Sequence, residues 1–194
     1  ANDGPWDTHL AWLGIVNKEL KPAQYVNRDY DSGGYKVLRA TGVNVIFRYP
    51  KFHYRPSQAD AMHVDLWVNG TNLLVDAGSY SYNSIPDLSG YFNGTASHNT
   101  VQFDDRDQMP KLGRFLFGNW LKTKHVSSIA ASDSRMSCWA SYRDFRGAEH
   151  FRQVNLHGSS LSIFDKVEGF NKKAVIRWRL TDSEWILANI KNGI

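Results

Sequence analysis

Hydrophobic and polar residues alternate along most of this sequence from residue 35 onward. Residues 63–68 show the pattern well, because Val64, Leu66 and Val68 fall on one face of an extended chain and the residues between them on the other. A period of two is typical of a β-strand with one buried face. The same pattern predicts strands over residues 35–40, 43–49, 63–68, 73–75, 100–103, 114–118, 119–126, 135–143, 149–157, 160–169 and 172–180.

Turn residues separate these predicted strands at short intervals. Asn69-Gly70 joins two of them and is a strong hairpin signal, because both residue types tolerate positive φ. Thr41-Gly42 gives a second tight connection, and glycines interrupt the windows in which a helix could otherwise form. The sequence therefore predicts a mainly β protein, an antiparallel β-sandwich.

One stretch near the start has a helical period instead. Trp6, Leu10, Leu13 and Val16 recur every three or four residues within residues 6–20, and Pro22 ends the pattern. We therefore expect one N-terminal helix. This divides the sequence into residues 1–30, a helix and linker, and residues 31–194, the sandwich domain.

Composition adds limits on the class of protein. The 194 residues include 42% hydrophobic and 13% aromatic side chains, enough for the core of one domain, and Cys138 in an apolar run is predicted to be a core residue. The net charge of +4 suits an anionic partner such as a polysaccharide, although a mixed, solvated surface has the same composition. No nucleic-acid motif and no apolar stretch of about 20 residues is present, so neither nucleic-acid binding nor membrane insertion is predicted.

Several polar residues fall at the ends of predicted strands. These are Gln58, Asp60, Asp76, His98 and Asn99. Strand ends are rigid positions from which side chains can be aimed into a cleft, so we expect these residues to lie near one another.

The motifs that contain these residues resemble a known family. The order RPSQAD (55–60), HVDLW (63–67), LLVDAGSYSYN (73–83), SHNTV (97–101) and DRDQM (105–109) is similar to the sheet domain of the heparinase II/III-like polysaccharide lyases. The later segments His150-Phe-Arg152 and Leu161-Ser-Ile163-Phe-Asp165 also match, so that the resemblance covers roughly residues 33–182.

The resemblance implies a larger bacterial protein, periplasmic or secreted, in which an α/α toroid precedes the sandwich and the active cleft lies between them. Residues 1–30 would then be the tail of the toroid, and the sandwich would continue past residue 194. The implied reaction is β-elimination on a uronate-containing polysaccharide such as a glycosaminoglycan or alginate. It requires a base, an acid and a group that neutralises the uronate carboxylate. Without its toroid, the partner domain, the chain is expected to be inactive.

The resemblance and the chemistry of the side chains together suggest roles for individual residues. The expected catalytic residues are His98, Arg55, which could clamp a carboxylate, and Tyr82, a phenol that could act as acid. The expected substrate-binding residues are Gln58, Asp60, His63, Asn99 and Gln108. Pro56 stands where some members carry a catalytic histidine, which leaves a non-catalytic carbohydrate-binding or polysaccharide-assembly module as the alternative function. A sandwich that only mediates protein contacts is a third.

Many members of the family hold a structural zinc ion, and its ligand positions correspond to Gln58, Asp76 and His98. An amide oxygen is a poor zinc ligand beside imidazole, so Asp76 and His98 remain as a pair, with His63 as a possible substitute. The alternative is that Asp76 and His98 hydrogen-bond each other directly and hold two strands together.

Overall fold

The computed structural model describes residues 12–14, 26–81, 83, 85–114, 116–182 and 185. One α-helix of this part, α1, spans Pro86–Asn93, and Thr95–Ser97 form a turn of 3₁₀ helix. The strands are β1 (Arg28–Tyr30), β2 (Tyr35–Ala40), β3 (Val43–Arg48), β4 (Val64–Val68), β5 (Thr71–Leu74), β6 (Val101–Phe103), β7 (Lys111–Gly113), β8 (Leu116–Phe117), β9 (Lys122–Val126), β10 (Ala130–Ser132), β11 (Arg135–Arg143), β12 (Glu149–His157), β13 (Ser160–Glu168) and β14 (Ala174–Ile176).

Within these residues the first sheet is a five-stranded antiparallel meander in the order β1-β2-β3-β4-β5. Asn69 and Gly70 form the turn between β4 and β5 with φ of 49° and 82°. Two consecutive positive φ values are the geometry that makes Asn-Gly favourable in a two-residue hairpin, so this prediction is confirmed.

The second sheet is built on three strands of nine residues each, β11, β12 and β13. These pair in sequence order, and β9 and β10 pair with different parts of the outer edge of β11. Alternate residues of β12, namely His150, Arg152, Val154 and Leu156, are buried. The inner face of this strand is therefore apolar at one end and polar at the other.

The apolar core lies between the two sheets, since inward residues of both belong to one cluster of contacts. Its members include Leu38, Val45, Phe47, Cys138, Ala140, Val154 and Leu156. Burial raises the pKa of the Cys138 thiol to about 12, as expected for a core cysteine rather than a nucleophile.

A segment near the end of the described residues connects β6 to the first sheet. After β14 pairs with β6, the Arg177 amide donates to the Thr100 carbonyl, and the Val75 amide donates to the Arg179 carbonyl. The ends of β5 and β6 are thus held on either side of one extended segment.

The predicted fold class, an antiparallel β protein, is confirmed. The helix predicted over residues 6–20 lies outside the described residues, apart from residues 12–14. The strand predicted over 114–118 was wrong in its bounds, because the chain there forms the hairpin of β7 and β8. The strands predicted over 119–126 and 172–180 are shorter than expected. No helix among the described residues is long and apolar enough to cross a membrane.

Candidate functional site

Three of the polar motifs come together where strands of the first sheet and β6 end. His63 directly precedes β4, Asp76 lies just beyond β5, and His98 lies just before β6. One ligand atom from each of these three side chains lies within 4.8 Å of the others, and no other group of three such residues does so in the part of the chain that is described. We call these three residues the strand-end cluster.

A direct hydrogen bond joins two members of the strand-end cluster. His98 Nδ1 lies 2.6 Å from Asp76 Oδ1, and the other oxygen of Asp76 accepts a bond of 2.7 Å from the Gly78 amide. The His98 side chain is fully buried, whereas that of Asp76 is 30% exposed. The carboxylate is therefore the face of the pair that solvent or a ligand can reach.

The third member, His63, has a different set of partners. Its Nδ1 accepts a hydrogen bond of 3.0 Å from the Asn99 amide and lies 3.7 Å from Asp76 Oδ1. A ring nitrogen that accepts from an amide carries no proton, so the ring hydrogen of neutral His63 is on Nε2. Burial lowers the pKa of His63 to about 3, which keeps the ring neutral at physiological pH.

Asp76 is ionised in this setting. Burial alone would raise its pKa, but the hydrogen bond and the charge of His98 outweigh burial and lower the pKa to about 2. Asp76 is therefore an ionised carboxylate at the edge of the first sheet at physiological pH.

The Asn99 side chain hydrogen-bonds the backbone at the strand ends that carry the cluster. Its side-chain amide donates to the carbonyls of Val64 and Val75, and its side-chain oxygen accepts from the Arg179 amide. The residue is fully buried. Both the donors and the acceptor of the side chain are thus used to hold the backbone.

A second network, which sequence reasoning did not find, supports the cluster from behind. Arg152, also fully buried, donates from Nη1 to the carbonyls of Met62 and Asn99, at 2.6 and 2.7 Å. Its Nε and Nη2 atoms bind the two oxygens of Asp165, and Asp165 also contacts His150 Nε2 at 2.7 Å. Arg152 therefore links the second sheet to the residues directly before His63 and directly after His98.

The hydrogen bond from Arg152 to the Met62 carbonyl holds an unusual backbone conformation at Met62. This residue is fully buried and has a φ of 65°, a left-handed conformation that side-chain-bearing residues seldom adopt. Arg152 binds its carbonyl, and His63 follows it. The alternating positions of His150 and Arg152 in the sequence were a signal for the network, but they did not indicate the partners of these residues.

Two predicted substrate-binding residues lie inside the protein. Asp60 is 4% exposed and accepts a hydrogen bond from Arg48. Gln108 is 2% exposed, and its side chain binds both the amide and the carbonyl of Ala61 at 2.9 Å. Together with His63 and Asn99, these residues shape the backbone around the strand-end cluster, and their contact with substrate stays a prediction.

Gln58 and Tyr80 lie closer to the surface. The Gln58 amide donates weakly, at 3.3 Å, to the Gly78 carbonyl and to the Ser79 hydroxyl, so the residue packs on the turn that follows Asp76. Tyr80 is 68% exposed, has a φ of 57° and stacks on Phe92 with the ring centroids 5.1 Å apart. A strained, exposed aromatic residue beside the cluster is a feature of ligand-contacting sites.

The other two predicted catalytic residues are not part of this arrangement. Tyr82 lies outside the described residues. Arg55 is exposed on the loop before Gln58, where it lines an open cleft of about 510 Å³ with Arg48, Lys51 and His53. Basic residues are thus concentrated in this cleft, at the end of β3 and on the loop that precedes β4.

The strand-end cluster has the ligand types of a zinc site, but its geometry does not fit one. Two ligands on one zinc ion lie about 3.3 Å apart, given bonds of about 2.0–2.1 Å and tetrahedral angles. The 2.6 Å contact between His98 and Asp76 is shorter, and His63 Nδ1 already accepts the Asn99 amide. Asp76 also lies on the Nδ1 side of His98, so it cannot share an ion with the Nε2 atom. Gln58 contacts the turn rather than the cluster.

The fold and the cluster define the class of this protein. It is an antiparallel β-sandwich in which a buried His–Asp pair opens to the surface at the strand ends. The sequence profile of the family described as "Heparinase II/III-like, C-terminal" matches residues 25–193, and the chain belongs to that family.

Solved structures show the same fold. A structure of heparinase III, the BT4657 gene product, is 20% identical, with a TM-score of 0.68 over 92% of this chain and 28% of that one. A mutant of the heparan sulfate lyase HepC from Pedobacter heparinus is 16% identical, with a TM-score of 0.65 over 90% of this chain and 27% of that one. The chain thus spans less than a third of these structures. A comparison with curated protein sequences found no significant match.

Proposed function

We propose that this chain is the sheet domain of a polysaccharide lyase that cleaves a uronate-containing anionic polysaccharide by β-elimination. Family membership supports the assignment, and the similar structures are those of a heparinase and a heparan sulfate lyase. The observation that carries it is the His98–Asp76 pair, whose carboxylate is partly exposed just beyond the end of β5. By analogy with the family, we place the protein in the periplasm or outside the cell.

Removing the uronate C5 proton is easier when the neighbouring carboxylate is neutralised, because negative charge develops there as the proton leaves. We assign that task to Arg55, whose planar guanidinium can bind a carboxylate through two hydrogen bonds. Gln58 and Tyr80 form the wall that contacts the sugar, since the partly exposed Gln58 packs on the turn after Asp76 and the exposed Tyr80 follows that turn. Tyr82 and groups of the toroid complete the acid–base set.

The buried residues have a positioning role in this proposal. Asp60, His63, Asn99 and Gln108 hold the strand ends, and His98 fixes Asp76 at the surface. A domain that contributes only one wall of a cleft needs the other wall for turnover. We therefore expect the chain to be inactive without its upstream toroid.

The test uses the full-length protein with alginate, heparan sulfate and other uronate polymers, and follows the ultraviolet absorbance of the unsaturated product. We expect product from the wild type, its loss in His98→Ala, and a raised KM in Arg55→Met. His157→Ala, which changes an exposed histidine at the end of β12, is the matched control and should keep full activity. Thermal unfolding must show that each variant is folded.

The burial of His63, His98 and Asn99 favours one alternative, a non-catalytic carbohydrate-binding or polysaccharide-assembly module. Binding to a polymer without product from the full-length wild type would refute the lyase proposal and support this alternative. Neither product nor binding, together with a stable oligomer, would support a domain that mediates protein contacts.

A further inference from the structure

The outward face of the second sheet carries aromatic side chains at its centre. Trp139 on β11, Phe151 on β12 and Phe164 on β13 point away from the core, because the residues next to them in each strand are the more buried ones. The ring centroids of Trp139 and Phe151 are 5.4 Å apart and those of Phe151 and Phe164 are 6.4 Å apart. We call these three residues the aromatic platform.

The platform is accessible and wide. Phe164 is 57% exposed, and Trp139 and Phe151 are partly exposed. Trp139 and Phe164 are both in register with Gln153, on opposite sides of it. Since neighbouring strands lie about 4.7–4.9 Å apart, these two rings lie on positions about 10 Å apart, close to the length of two linked pyranose rings.

Amide groups lie among the rings. Gln153 stands between Trp139 and Phe164, and its Nε2 donates to Asn155 Oδ1 at 2.9 Å. That bond leaves the Gln153 oxygen and the Asn155 amide hydrogens without a partner in the part of the chain that is described. The Gln153 oxygen is therefore an available acceptor and the Asn155 amide an available donor beside apolar ring faces. Apolar rings next to hydrogen-bonding groups match a sugar, which has C–H faces and hydroxyl edges.

Three basic side chains near the platform are already paired with acidic residues. Lys124 and Arg143 both bind Glu149, and Lys166 binds Glu168. A polyanion would have to break these ion pairs, and an apolar protein surface would remove the two amides from water without replacing their hydrogen bonds. A neutral glycan needs neither change.

We propose that the aromatic platform, with Gln153 and Asn155, is a binding surface for a neutral stretch of an extended polysaccharide. It lies on the opposite side of the second sheet from the core and from Arg152, and so is distinct from the strand-end cluster. The proposal does not depend on lyase activity. A surface of this kind would hold the protein on a long polysaccharide while another part of that polysaccharide occupies the cleft. Binding at two places raises the effective concentration of substrate at the cleft.

The test is titration of the intact protein with cellohexaose, xylohexaose and chitohexaose, followed by calorimetry and by Trp fluorescence. We expect binding to at least one of them, weakened about two- to tenfold in Phe164→Ala, in line with the contribution of one aromatic contact, and further in Trp139→Ala. Phe145→Ala, an exposed aromatic residue in the turn between β11 and β12, is the matched control and should bind as the wild type does. His98→Ala should also bind normally, so this result and the lyase assay succeed or fail separately.

Two results would overturn the proposal. The first is no binding of any neutral oligosaccharide, or binding that all the variants retain. The second is a dimer, seen by light scattering, that Phe164→Glu dissociates while sugar binding is absent, because the platform would then be an interface between two copies of the chain.

Discussion

Replacing Arg152 with methionine should cost much of the stability of the domain. The substitution leaves Asp165, whose side chain is only 16% exposed, with His150 as its remaining partner, and it removes the donor from the Met62 and Asn99 carbonyls. Removing one partner of a buried ion pair costs about 3–5 kcal/mol, and each orphaned carbonyl about 1–3 kcal/mol, although contributions of neighbouring groups do not add fully. We expect a loss of at least about 4 kcal/mol.

The assay is unfolding by heat and by urea, followed by circular dichroism. A loss of about 4 kcal/mol corresponds to a fall in Tm of about 8–16 °C for a domain of this size. Arg143→Met is the matched control, because Arg143 also binds a carboxylate, that of Glu149, but is 62% exposed. An exposed pair contributes about 0–1 kcal/mol.

The double variant Arg152→Met with Asp165→Leu separates charge from packing. Replacing both members of a buried pair with apolar residues is often nearly neutral, so the double variant should recover part of the loss. An Arg152→Met variant that is no less stable than Arg143→Met would refute the reasoning. So would a double variant less stable than Arg152→Met alone, because the uncompensated carboxylate would then not be the cause.

Two further predictions concern titration and metal binding. Although burial alone would raise the pKa of Asp165, its hydrogen bonds to His150 and Arg152 lower that pKa to about 2. The contribution of Asp165 to stability is therefore complete above pH 4 and is lost as the pH falls through about 2. Asp165→Asn should flatten that part of the curve of unfolding free energy against pH. Burial lowers the pKa of His150, so the unfolded chain takes up a proton first, stability falls as the pH drops below about 6.5, and His150→Gln should remove that slope. Because the Nδ1 atoms of His98 and His63 already make hydrogen bonds, we expect substoichiometric zinc by mass spectrometry and an unchanged Tm after chelation. The geometry would be contradicted if the protein held one zinc ion per chain and lost it in His98→Ala but not in the control His157→Ala.

The sequence predicted the strands whose two faces differ most. Alternation identified β4, β11, β12 and β13, and Asn69-Gly70 identified one hairpin, because burial on one side leaves a period of two in the residues. It missed β1 and β10. Each has three residues that are all exposed, so neither strand shows the alternation of buried and exposed positions. It also missed α1, whose eight residues include Ser89 and Gly90, both poor helix formers, and few apolar positions.

For the candidate site, the sequence predicted the members better than their roles. Asp76 and His98 were expected to form a pair or a metal site, and they form a pair. Gln58 was placed with them by analogy, with His63 as a possible substitute, and it is His63 that lies beside the pair. The difference arises at Met62, whose left-handed backbone turns the chain just before β4, and no local sequence signal requires positive φ at a methionine.

The position of His63 therefore depends on a residue almost 90 positions away in the sequence. Arg152 binds the carbonyl of Met62 on one side of the cluster and that of Asn99 on the other, so one guanidinium fixes the backbone next to both histidines. Asp165 and His150 hold that guanidinium in turn. The second sheet thus does more than cover the core, because it sets the spacing between β4 and β6 on which the strand-end cluster depends. A change in Arg152 should reach the candidate site even though the residue contacts none of the side chains of the cluster.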